Sequence, residues 1–412
     1  MSIAGSYAFP ICRGSDPMNL MQPTTQSGLV DAVMSALERK APLELVGAGS
    51  KRAIGRPLQT ADVLDLSGLA GIDSYEPAEL VLTAGAGTRL AEIEAALGEA
   101  GQCLAFAPPD YAALLGLEPG QQTLGGIVAA NLAGSRRLTA GAARDHVLGF
   151  HGVSGRGEAF KSGGKVVKNV TGYDLSKLVC GSWGTLAALA EISIKVLPRA
   201  EAETTLLLHG LDAAAAVAAM SRALGSPQEV SAACWLPSGL AKGQGGAVTA
   251  LRLEGLAASV RFRIEALLQL FAGQAEETRI EAEESKAFWR AIGNAEPLAA
   301  EPKRLVWKIS VPTEAGPGVL AAFPEGEGFL DWGGGLVWLA LPETPDAGAM
   351  RIRSAIGAKG GHATLIRAPA AIRASVDVFE PLSGPLGDLT RRVKTGFDPE
   401  MILNPGRLYA GI

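Results

Sequence analysis

The chain has 412 residues, and its 37 Lys/Arg against 42 Asp/Glu give a formal net charge of −5, which argues against nucleic acid as a partner. Hydrophobic residues make up 48%, ample for more than one packed core, yet no run approaches the ~18 apolar residues that a membrane span needs. The four cysteines, Cys12, Cys103, Cys180 and Cys234, form no CxxC pair, which excludes the usual iron–sulfur and structural zinc spacings.

The first residues, MSIAGSYAFPICRGSDPMNLM, show no basic start followed by an apolar core, so a cytoplasmic chain with free thiols is expected. Residues 27–40 place Leu29, Val33 and Leu37 on one helical face, with Ser27 as the expected N-cap. Leu43–Val46 reads as a buried strand and runs into a tight loop, GAGSKR at 47–52. Such a loop can offer several backbone N–H groups to a pyrophosphate, with Lys51 and Arg52 adding charge; an ordinary turn is the competing reading.

Val63–Leu66 and Leu80–Ala84 read as further strands, followed by a helix carrying Leu90, Ile93 and Leu97 on one face. Pro108–Pro109 fits neither a helix interior nor a central strand, so AFAPPDY predicts a rigid extended turn. Asp110 then either accepts a hydrogen bond from a ligand or closes an Asx turn.

Residues 121–198 are dense in small side chains: Gly125, Gly126, Ala129, Ala130, Ala133 and Gly134, then Gly172, Gly181 and Gly184. Without bulky side chains the backbone can approach a flat or anionic ligand. Ile192, Ile194 and Val196 alternate with Ser193 and Lys195, the period of a half-buried strand, which Pro198 ends. The window 136–199 carries a net +6, a local field suited either to an anionic ligand or to a solvated face. Beyond it, an Ala-rich helix at 213–219, a strand at 248–253, a helix with Val260, Ile264, Leu267, Leu268 and Phe271, and strands at 305–311 and 336–341 predict an α+β unit. Asn404-Pro405-Gly406 is a turn by its own chemistry.

The ordered series TLGGIVAANLAG, RDHVLG, KNVTGYDLSKL and GSWGTLAALAEISIKVLP resembles the second half of the FAD-binding domain of vanillyl-alcohol-oxidase-type (PCMH-type) flavoproteins. GAGSKR stands where that family has its pyrophosphate loop, with Ala48 in place of a third glycine. PPD followed by TLGG is similar to the link between the family's two lobes, and NPGR to a terminal segment that returns to the flavin. The resemblance implies an α+β fold: a two-lobed PCMH-type FAD-binding domain at 20–198 (lobes about 20–120 and 121–198), a cap domain at 199–375, and a C-terminal segment at 376–412 packing back on the FAD domain.

It further implies FAD contacts from Gly47, Ala48, Gly49, Ser50, Lys51, Arg52, Pro109, Asp110, Thr123, Leu124, Gly125, Gly126, Ala129, Ala130, Arg144, Asp145, Lys168, Asn169, Gly184, Ile192 and Asn404. The FAD would be non-covalent, since the loop 47–52 holds no His or Cys.

LVWKISVP, FLDWGGGLVWL, GGHATL and FEPLSGPLGDLTRRVKTGFDP are similar to the family's FAD-binding subunits of bacterial glycolate-oxidising complexes. Such a subunit would work with a larger flavoprotein subunit and an iron–sulfur subunit, at the inner face of the cytoplasmic membrane, on a small 2-hydroxy acid. A self-sufficient dehydrogenase of an acid such as D-lactate, and a non-catalytic scaffold, are the alternatives. One departure stands out: His146, His151, His209 and His362 show no metal-ligand pairing, so no metal is expected. Oxidation of a 2-hydroxy acid needs a base for the hydroxyl proton and a cation for the carboxylate. The base candidates are His362 and then Tyr173; the cation candidates are Arg136, Arg137, Arg367 and Arg407.

Overall fold

The computed structural model describes residues 19–60, 62–164, 173–243, 245–357 and 360–412. Three sheets organise the chain. The first is parallel, with Asp62–Asp65 between Asn19–Met21 and Leu43–Val46. The helix Gln26–Arg39 covers it, and Leu29, Val33 and Ala36 pack with Leu43 and Leu64. Its N-cap is Thr25, not Ser27: Thr25 is extended, and its hydroxyl accepts from the Gly28 amide at 3.1 Å. Ser27 already lies inside the first turn, where its hydroxyl meets that of Thr25 at 3.1 Å.

The second sheet is antiparallel, in the order Ile72–Glu76, Val81–Gly85, Ala187–Lys195, Val147–Ser154 and Ala159–Gly163. The pairing of residues 72–85 with 187–195 divides this half of the chain differently from a split near residue 120. Ala187–Lys195 is the central strand, so it is buried on both faces rather than half-buried. Ser193 tolerates this because its hydroxyl bonds that of Thr83 at 2.8 Å, leaving no orphaned polar group.

The third sheet has eight antiparallel strands, running from Glu276–Glu281 at one edge through Ala202–His209, Val248–Gly255, Ala232–Leu236, Glu327–Asp331, Leu336–Leu341 and Leu305–Ser310 to His362–Arg367. Leu305, Trp307 and Ile309 face a core shared with the helices Ala213–Leu224, Ala257–Phe271 and Ala349–Ile356. Val306, Phe329, Trp338 and Ile366 face the other way, into one hydrophobic cluster with Phe106, Tyr111, Leu114 and Leu132. Both faces of this sheet are therefore packed along its central strands, and the two halves of the chain share a core. Polar ties reinforce the junction: Trp332 Nε1 donates to the Gly134 carbonyl at 3.0 Å, and Arg367 to the Leu114 carbonyl at 2.9 Å.

After this sheet the helix Gly384–Phe397 brings the chain back. Lys394 is buried and donates to the carbonyls of Thr185 (2.7 Å) and Leu403 (2.8 Å) and to Asp398 Oδ2 (2.5 Å). Asp398 in turn accepts from the amides of Ile402 (3.0 Å) and Leu403 (2.8 Å). So held, the tail pairs with the edge of the first sheet: the Leu43 amide donates to the Ile402 carbonyl (2.7 Å) and the Asn404 amide to the Leu43 carbonyl (3.0 Å). Removing one partner of a buried ion pair leaves the other charge uncompensated, at about 3–5 kcal/mol. Lys394→Met is expected to lower stability by about that amount and to expose the segment after residue 397 to protease. Urea unfolding and limited proteolysis check this.

Candidate functional site

The strand Leu43–Val46 leads directly into the loop at 47–52, and this loop forms one wall of an open cleft. The opposite wall is the short helix Leu124–Ala130, which contributes Gly125, Gly126, Ala129 and Ala130, with Thr123 at its cap. Trp183, Gly184, Ala187 and Leu189 continue the lining, and Asn404 and Arg407 from the tail complete it. Small residues let these segments come together. A Cβ on Gly47 would stand 2.5 Å from Thr123 Oγ1. Gly184 has φ +72°, and a Cβ there would stand 2.7 Å from Asn404 Nδ2.

The electrostatics of the cleft come chiefly from backbone. Among the described residues, the amides of Ala48, Gly49, Ser50 and Lys51 donate to no protein acceptor. Gly49 has φ +74°, and such left-handed turns gather successive N–H groups into an anion-binding concavity. The helix opposite has no such amides to spare: those of Leu124 and Gly125 donate to the carbonyls of Thr88 (3.0 Å) and Ala86 (2.7 Å). Its contribution is therefore shape.

Lys51 Nζ bonds Gln122 Oε1 at 2.9 Å and Ser50 Oγ at 3.2 Å, and burial lowers its pKa to about 8 against a smaller opposing pull from Asp110. Arg52 is committed to Glu44, which raises its pKa. Arg407 donates to the carbonyls of Lys51 (2.8 Å) and Arg52 (3.2 Å), so it braces the loop from beneath; burial brings its pKa down to about 10. Asn404 ties the walls together: its Oδ1 accepts from the Leu45 amide (2.8 Å) and its Nδ2 donates to the Trp183 carbonyl (2.7 Å).

Six expected contact residues lie elsewhere. Leu124 and Ile192 have fully buried side chains in the hydrophobic cluster. Pro109 is buried, and Asp110 takes the Asx-turn role, accepting from the amides of Ala112 (3.1 Å) and Gly120 (2.8 Å). Arg144 is exposed, and Asp145 accepts from the Ala142 amide (2.8 Å) and from Arg137 (3.1 Å). Lys168 and Asn169 lie outside the described residues. The basic window 136–199 contributes none of its described cations to the cleft, because charge counted along a chain does not say which way side chains face. Sequence reasoning missed Glu44, Leu45, Val46, Leu66, Trp183, Ala187 and Leu189 in the lining; the GSWG context of Trp183 is the available signal.

The proposed substrate cations are also engaged. Arg136 pairs with Glu254 and Arg137 with Asp145. Arg367 donates to the carbonyls of Arg304, Leu114, Leu298 and Glu301. Tyr173 is 91% exposed. His362 sits on the edge strand with much of its surface exposed and does not line the cleft; partial desolvation of its ring, then Lys308, lowers its pKa. Among the described residues no three His, Cys, Asp or Glu side chains group as a metal site would need.

Residues 17–163 match the family described as "FAD binding domain". The glycolate oxidase subunit GlcE of Escherichia coli (strain K12) is 37% identical over 383 residues, covering 93% of this chain and 97% of that protein. The glycolate oxidase subunit GlcD of Bacillus subtilis (strain 168) is 39% identical over 112 residues, 27% of this chain and 23% of that one. A solved alkyldihydroxyacetonephosphate synthase superposes with a TM-score of 0.65 at 14% identity, over 94% of this chain and 76% of its own, which shows a shared fold. The cradle suits FAD: free amides and Lys51 for a pyrophosphate, and Gly/Ala walls for flat rings.

Two outcomes follow from this geometry. Asn404→Ala leaves the Leu45 amide and the Trp183 carbonyl unpaired, at about 2 kcal/mol, and calorimetry should find that loss together with weaker FAD retention. Lys51 loses its charge above about pH 8, so FAD retention is expected to fall as pH rises through 8 to 9.5, and Lys51→Met should abolish that pH dependence. Fluorescence of released flavin measures both.

Proposed function

The chain belongs to the family of the glycolate oxidase subunit GlcE, and from that membership we propose that it is the FAD-binding subunit of a multi-subunit complex oxidising glycolate to glyoxylate. The observation that carries the reading is the row of free amides at 48–51, facing a glycine- and alanine-lined wall and backed by Lys51. FAD, when bound, supplies a two-electron acceptor for the C2 hydride of a 2-hydroxy acid. The protein's part is to hold it. The loop amides and Lys51 take the pyrophosphate, Thr123 to Ala130 and Gly184 leave room for the rings, and Asn404 keeps the two walls at a fixed separation.

The partners we propose are a larger flavoprotein subunit and an iron–sulfur subunit. Support comes from the GlcE and GlcD relatives and from the cysteines, of which Cys103, Cys180 and Cys234 are separate free thiols that offer no cluster ligation of their own. We place the complex on the cytoplasmic side, at the inner face of the membrane. Among the described residues no helix is long and apolar enough to cross a membrane, so attachment would come through the partners.

The test is purification of the tagged full chain from a host carrying its partner genes. The expected result is a yellow preparation that releases FAD on denaturation and carries a second flavoprotein chain. A colourless chain that takes up no added FAD would overturn the reading. Rapid anaerobic bleaching of the isolated chain by D-lactate would instead establish a self-sufficient dehydrogenase.

A further inference from the structure

The eight-stranded sheet carries a lysine inside the LVWKISVP stretch. Lys308 lies on the strand Leu305–Ser310, on the sheet face that packs against the FAD-binding half. Its neighbours on that strand, Trp307 and Ile309, point into the opposite core. The side chain is half-buried, and among the described residues no carboxylate oxygen lies within 4.0 Å of its ammonium. Instead Nζ stands 5.1 Å from the centre of the Trp332 ring, 5.7 Å from that of Trp338, and 3.5 Å from the Tyr111 hydroxyl. Two ring faces stabilise a cation without consuming its hydrogen bonds.

Two further features mark the place as unsatisfied. Trp338 Nε1 is buried and has no partner among the described residues, whereas Trp235, Trp289, Trp307 and Trp332 each place theirs on an oxygen. The nearby carboxylate, Asp331, accepts from Ser135 Oγ (2.7 Å) and from the Trp332 amide (2.7 Å). It fixes Trp332 and acts on Lys308 through its charge, without an ion pair within 4.0 Å among the described residues. Tyr111 directly follows Asp110, whose charge acts on Lys51 in the cleft lining. A half-buried cation, a hydroxyl 3.5 Å from it and an unpartnered indole N–H on the paired strand are donors of the kind a carboxylate accepts from.

We propose that Lys308, assisted by Tyr111 and Trp338, seats the carboxylate of the small 2-hydroxy acid. This rests on the FAD-dependent reading above and deepens it. It supplies the cation that Arg136, Arg137, Arg367 and Arg407 cannot, because each of those is already spent within the protein. Burial lowers the Lys308 pKa to about 8, opposed by Asp331 and aided by Arg137; Tyr111 and His362 are the other titratable groups facing it. An anion held there should bind about tenfold more weakly per pH unit above 8.

The test titrates the full chain with oxalate, an unreactive carboxylate, at pH 7 to 9.5. Two signals are read: tryptophan fluorescence, which Trp332 and Trp338 report with or without flavin, and the visible spectrum of the FAD-loaded chain. The expected result is saturable quenching in the native chain, weakened about 10- to 100-fold by Lys308→Met and several-fold by Tyr111→Phe, with FAD content unchanged. Unchanged affinity in Lys308→Met, or in Tyr111→Phe should Lys308→Met not fold, overturns the proposal. So does a native chain that holds FAD yet shows no saturable response, which leaves the FAD reading intact. A chain that quenches with oxalate but takes up no FAD keeps the anion seat and defeats the FAD reading.

Discussion

The side-chain amide of Asn404 ties the two sides of the cleft together. It bonds the backbone of Leu45 on one side and of Trp183 on the other at once. A single amide can do this because it carries an acceptor and a donor on one rigid plane. Its own position depends on the tail's pairing with Leu43, and that pairing depends on Lys394 and Asp398. A residue near the end of the chain thus sets the geometry of a loop some 350 positions earlier, with |i−j| of 359 between Asn404 and Leu45.

Charge in the cleft is arranged by elimination. Three cations border it, yet Arg52 is neutralised by Glu44 and Arg407 faces loop carbonyls. What remains for an anion is Lys51 and the row of amides. Backbone donors are suited to a diphosphate because they are numerous, fixed and carry no desolvated formal charge of their own. Glycines that line the cleft serve packing as much as ligand access, since Gly47 meets Thr123 and Gly184 meets Asn404 at distances no Cβ would allow.

The eight-stranded sheet meets the FAD-binding half through a continuous apolar cluster, not through a wet hinge. Burying a sheet on both faces removes the exposed apolar surface that would otherwise drive association, and it fixes the two halves relative to each other. Polar groups inside such an interface need a reason to be there. Arg367 has one, because its guanidinium satisfies four carbonyls. Lys308 has no comparable set of protein partners, and that contrast separates a structural cation from a ligand seat.

The sequence by itself determined the local elements and the family: the strand Leu43–Val46, the loop after it, the helix stripe through Leu90, Ile93 and Leu97, and the ordered glycine motifs. Those rest on short-range periodicity and turn chemistry, which a chain carries without knowing its partners. Only the tertiary structure decided that Ala187–Lys195 is central and dry, that Asp110 closes a turn, and that the arginines are spent. It also brought Lys308 and Tyr111, with |i−j| of 197, within 3.5 Å of each other. Side-chain direction and the identity of a long-range partner are properties of packing, and no pattern along the chain encodes them.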